Sequence, residues 1–153
     1  ITKLDFGYKN TKSTKTDIEF TETEKAIWYS HFHLWQKCVE INKPLLIIEE
    51  DVKPIKKFKD TWQTSYYKDS YYYKDSYYLI CFCFNYYNML TPAGGYIITP
   101  NTAKNMINNI LKRKITYNVD YYIVKWSDIE LVKNNQYAIQ IKREMRTISH
   151  NSA

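Results

Sequence analysis

No apolar run in these 153 residues approaches the roughly 18 that a membrane-spanning helix needs, so the segment reads as one that folds in water. Cysteine is sparse and odd in number, at three, which argues against a disulfide framework. Cys38, Cys81 and Cys83 stand in apolar settings; buried thiols are expected, and with them a reducing intracellular compartment. A zinc site on the Cys81-x-Cys83 pair is the sharper alternative. No signal peptide is present, and the chain starts at Ile1 rather than Met, so it reads as a piece of a longer product. Glycine is scarce at 3 residues while tyrosine reaches 16, a contrast that AT-rich codons produce without any selection on function. What remains is a globular mixture, 44% apolar and 25% charged, long enough for one domain with a real core. Net charge is 22 − 16 = +6, a basic excess that suits an anionic ligand, whether nucleotide diphosphate, nucleic acid or membrane surface.

The most informative stretch is Leu45-Leu46-Ile47-Ile48-Glu49-Glu50-Asp51-Val52, four apolar residues running into three acids. An apolar run without alternation predicts a strand buried on both faces, the habit of a parallel sheet covered by helices. The acids then fall at the carboxyl end of that strand, where open α/β sheets bind ligands. Adjacent carboxylates in a half-buried cleft need a proton or a cation, so the triplet suggests a divalent metal with oxygen ligands. Period-two geometry puts Glu49 and Asp51 on one side as metal ligands, with Glu50 opposite. A solvated acidic turn is the plainer alternative.

Around this stretch the chain alternates helices and strands, which makes it α/β. Residues 1–20 are polar and irregular. Thr21-Glu22-Thr23-Glu24 has the spacing of a capping box and opens a helix over 22–41. On its wheel Ile27, His31, Leu34, Cys38 and Ile41 share the inward face, while His33 points out. His31 stands about 15 Å of helix before Ile41, a length similar to the strand leading up to Glu49, so it comes level with the acids. Residues 52–59 predict a short amphipathic helix with a basic outer face. A near-repeat, Ser65-Tyr-Tyr-Lys-Asp and Ser70-Tyr-Tyr-Tyr-Lys-Asp75, predicts a peripheral loop over 65–78; an aromatic platform for bases or sugars is the alternative. Strands are expected at 77–84, 95–99 and 137–141, and helices from Thr99 to Leu111 and from Asn118 onward. Asp120 would sit near the amino end of the last helix, where it can also act as a cap.

Several segments in order resemble glycosyltransferase family 25, which includes lipooligosaccharide and collagen hydroxylysine galactosyltransferases. They are Ser30-His31-Phe32-His33-Leu34-Trp35, Leu46 to Val52, Gly95-Tyr96-Ile97-Ile98-Thr99 with Ala103, and Val119-Asp120-Tyr121-Tyr122. The resemblance implies a single domain over 1–153 with a GT-A-like, Rossmann-like fold, an open and mostly parallel sheet flanked by helices. It also implies a nucleotide-sugar donor (UDP-galactose or UDP-glucose), a hydroxyl acceptor on a glycan or protein, and a divalent metal, typically Mn²⁺. Carried over by position, Glu49, Glu50 and Asp51 bind donor and metal, and His31 and Asp120 are the catalytic candidates. Asp120 would bind the acceptor or take its hydroxyl proton, since inversion needs a base near the incoming oxygen. Three departures stand out: Glu50 replaces the more usual Asp, Asn118 replaces a proline, and the family's opening strand-helix-strand has no counterpart before Thr21.

Two other functions fit parts of the chain. One is a non-catalytic remnant of the transferase fold that acts as a binding module. The other is a basic, tyrosine-rich domain that binds single-stranded nucleic acid by lysine contacts and ring stacking. The acids at the strand end oppose the second, because they repel an anionic partner.

Overall fold

The structure, a computed structural model, describes residues 2–10, 17–54, 78–81, 83–84, 89, 91–126, 128–131 and 138–140. Helix α1 (Glu22–Ile41) begins at the expected capping box. Thr21 Oγ1 accepts from the Glu24 N–H at 3.1 Å, and Glu24 Oε1 accepts from the Thr21 N–H at 3.0 Å. It ends at Asn42, whose left-handed backbone (φ 53°, ψ 43°) lets the chain reverse toward Pro44. The buried face is Trp28, His31, Phe32, Trp35 and Cys38. His31 and Cys38 point inward and His33 outward as expected. Ile27, Leu34 and Ile41, however, are 38–39% exposed. Ring area explains the rotation: the wheel weights aliphatic and aromatic residues alike, yet two tryptophans and a phenylalanine bury more surface and turn the helix their way.

Strands β1 (Leu45–Ile48), β5 (Gly95–Ile98), β3 (Tyr78–Cys81) and β6 (Asp128–Leu131) form a four-stranded sheet in that spatial order. β5 is antiparallel to both β1 and β3, and β3 is parallel to β6. Thus β1, β3 and β6 run one way with β5 reversed between them. The architecture is mixed helix and strand, and two of the three pairings in this sheet are antiparallel, where a mostly parallel sheet was expected. β5 enters directly from the turn at 92–94, and β1 leaves into the turn at 49–52, so their facing ends meet at Ile48 and Gly95.

A second sheet has the order β2 (Val52–Pro54), β7 (Ala138–Gln140), β4 (Cys83–Phe84). Residues 52–54 are therefore strand, not the start of a helix; cross-strand pairing with 138–140 overrides a three-four apolar spacing that a β-strand can also carry. The tyrosine repeat lies outside the described residues.

β1 is buried on one face rather than two. Ile47 is 3% exposed and pairs with Tyr96, which is fully buried under α1. On the opposite face Leu46 and Ile48 are 48% and 40% exposed, because β1 has a strand neighbour on one side only among the described residues. Helix α2 (Pro100–Ile110) packs beside α1 and contributes Ala103, Met106 and Ile110 to the core. Helix α3 (Val119–Trp126) adds Tyr122 and Ile123. Residues 2–10 run extended, bridged to Ile115, with Leu4 and Phe6 packed at the start of α1. Among the described residues no helix is long and apolar enough to cross a membrane.

Candidate active site

The strand ends at Ile48 and the acids occupy a turn. The Val52 N–H donates to the Glu49 carbonyl at 3.2 Å, which puts Glu50 and Asp51 at the corner. The expected alternation, with Glu50 turned away, does not apply, since period two holds only while the chain stays extended. Glu49, Glu50 and Asp51 all line one cleft of about 340 Å³, together with Asp120, Glu24, Ile27 and Trp28. Among the described residues no lysine or arginine lines it, so the described wall of the cleft is acidic in a basic chain.

A short 3₁₀ turn, Pro92–Gly94, ties the two groups of acids together. The Gly94 carbonyl accepts from the Glu49 N–H at 3.1 Å, and the Ala93 N–H donates to Asp120 Oδ1 at 2.8 Å. Asp120 is therefore not only a residue of the first turn of α3; its carboxylate reaches out of the helix to fix this turn. Gly94 is required by close approach, because a Cβ there would stand 2.9 Å from Cys83 Sγ. Cys83 reports the local field. Its thiol is pushed up to about 11, chiefly by burial, with Thr91 opposing and the charges of Asp51, Glu49 and Asp120 contributing in the same direction as burial. Thr91 Oγ1 is buried without a hydrogen-bond partner among the described residues, and both it and Cys83 Sγ border the space beside Gly94. Acids from two elements thus converge on one point.

His31 is 3% exposed and comes level with the acids, as the lengths of helix and strand predict. Its Nε2 lies 3.3 Å from Glu49 Oε2, and its Nδ1 lies 2.6 Å from the Tyr96 hydroxyl, which also accepts from Trp35 Nε1 at 2.9 Å. Tyr96 and Trp35 were not among the expected site residues. Both lie in the segments that carry the family resemblance, but an apolar, aromatic setting reads as core until the hydroxyl is located. A second hollow, about 430 Å³ and more open, adjoins the cleft across Glu49 and Glu50, with Ile27, Leu34 and Ile48 in its wall.

The metal expectation meets a constraint. Among the described residues no group of three or more His, Cys, Asp or Glu side chains is gathered closely enough to hold an ion unaided. Cys38 and Cys83 are buried free thiols, Cys38 also pushed up to about 11 by burial, so neither offers a ready thiolate. The oxygen donors of Glu49 and Asp51 still fit a hard divalent ion that completes its shell on a ligand's phosphates, the usual arrangement for Mg²⁺-type sites.

An acidic turn after a strand and a carboxylate opposite it give the domain a polar cleft. Residues 3–91 match glycosyltransferase family 25 (LPS biosynthesis protein), more than half of the chain, and the chain belongs to that family. Among curated proteins nothing matches. The family is one of sugar-transferring enzymes, so a sugar donor and an acceptor are the ligand classes it implies. The matched stretch holds α1 and the acidic turn and takes in residues 3–20, which the expected pattern left out; Asp120 lies beyond it.

Proposed function

We propose that the chain transfers a hexose, galactose or glucose, from a UDP-sugar to a hydroxyl of a glycan or protein, on a GT-A-like sheet. The observation that carries this reading is the gathering of Glu49, Glu50, Asp51 and Asp120 around one cleft that no lysine or arginine lines among the described residues. A diphosphate cannot enter such a cleft unless its charge is neutralised, which calls for a divalent cation such as Mn²⁺. Glu49 and Asp51 would hold that ion, and it would offset the charge developing on the departing UDP. The adjoining hollow, with apolar Ile27, Leu34 and Ile48, offers a surface for the nucleoside. Asp120, fixed through Oδ1 by the Ala93 N–H, takes the proton of the acceptor hydroxyl as the new glycosidic bond forms. His31, with both ring nitrogens engaged by protein groups, holds Glu49 rather than the acceptor. Co-directional β1, β3 and β6, with the acids at the carboxyl end of β1, support the fold part of the reading.

The test is UDP release from UDP-galactose and UDP-glucose by the full chain with Mn²⁺. Metal-dependent release is expected, reduced roughly 10²–10⁴-fold in Asp120→Asn. No release from either donor, with UDP still bound, would leave a binding module in place of an enzyme.

A further inference from the structure

Tyr96 is fully buried at a position where phenylalanine would fill the same space, yet its hydroxyl is placed between two polar partners from α1. Trp35 Nε1 can only donate, so Tyr96 Oη accepts from it and keeps its own hydrogen to give. The Glu49 carboxylate can only accept when ionised, so His31 Nε2 must carry hydrogen. A neutral imidazole then has its lone pair on Nδ1, which is where Tyr96 O–H points at 2.6 Å. This assignment satisfies every group in the neutral ring's two contacts.

We infer that Trp35 and Tyr96 are positioning residues which, through the Nε2–H tautomer of His31, aim the Glu49 carboxylate into the cleft. His31 also stacks on Tyr96, with ring centroids 5.6 Å apart and planes 17° from parallel, so the phenol fixes the ring's plane as well as its tautomer. Glu49 Oε2 is thereby held, and Oε1 is the oxygen left for the ligand. This is the arrangement by which outer hydrogen-bond partners orient carboxylates and imidazoles at ligand sites generally. The inference rests on the donor-binding role of Glu49 proposed above and adds the groups that set its geometry.

Two measurements on the full chain test it. Nitrogen-15 NMR of the histidine rings in the wild type should show His31 protonated at Nε2 with Nδ1 as an acceptor; an Nδ1–H tautomer overturns the inference without needing any variant. UDP titrations with Mn²⁺ should then show Tyr96→Phe binding roughly tenfold to a hundredfold more weakly than the wild type, with the folded NMR spectrum retained and the His31 nitrogen shifts altered. Altered shifts with unchanged UDP affinity would overturn the positioning role while leaving the donor site standing. If the wild type itself fails to bind UDP with Mn²⁺, the proposed function falls, and this role falls with it.

Discussion

Asp51 stands at the corner of a turn whose neighbours are also acidic, and in the proposed site its charge serves the cation. Asp51→Asn is expected to abolish metal-dependent UDP binding and leave thermal stability unchanged or slightly higher, as repulsion with Glu49 and Glu50 is relieved. Unchanged affinity in that variant would remove Asp51 from the site. Glu24, on the rim of the same cleft, behaves differently. Burial alone would raise its carboxyl, but hydrogen bonds from Lys9 and Thr21 outweigh that and hold it below its ordinary value of 4.5. The folded chain therefore binds this proton less readily than the unfolded one. Its contribution is present above pH 4.5 and is lost as pH falls through the folded value. Acid unfolding of Glu24→Gln should depend less steeply on pH below 4.5, and an identical slope would assign the pair no role in stability.

The elements around the site show which features a sequence can display. The start of α1 was legible because capping is local: Thr21 and Glu24 meet within one turn. Level placement of His31 with the acids followed from rise per residue alone. The rotation of α1 was misjudged because Trp28, Phe32 and Trp35 outweigh an aliphatic stripe only once the sheet beneath them is known. β2 was read as helix because its partner lies some 85 residues away in sequence, at 138–140, beyond the reach of any local period. The turn at Pro92–Gly94, which joins Glu49 to Asp120, left no signal except its small residues. Its tightness is open to test. Gly94→Ala places a methyl against Cys83 Sγ and Thr91 Oγ1, which should cost about 1–3 kcal/mol and lower the melting temperature by several degrees. The same variant should weaken UDP binding, since the Gly94 carbonyl fixes the Glu49 backbone; a melting temperature equal to the wild type would show that the turn has room to spare.

At the scale of the molecule, a net charge of +6 coexists with a cleft lined, among the described residues, by five carboxylates, those of Glu24, Glu49, Glu50, Asp51 and Asp120. General attraction brings an anion to the surface, and under the proposed function a cation accompanies it into the cleft. That contrast was readable from the sequence in part, since Glu49 to Asp51 are adjacent; the arrival of Asp120 depends on the packing of α3 against the turn at Pro92–Gly94. Three of the sheet's four strands, β1, β3 and β5, were legible from their apolar runs and β6 was not; direction was not legible either, because the apolar content of β1 and β5 is the same whether they run parallel or antiparallel.

The measurement that bears most directly on the metal-dependent donor site is a calorimetric titration of UDP into the full chain with Mn²⁺ and again with the metal chelated. Binding is predicted only when both are present, with a ligand at about a hundred times its Kd stabilising the fold by about 2.7 kcal/mol. Equal affinity for UDP with and without the metal would contradict a cation held between Glu49, Asp51 and the diphosphate.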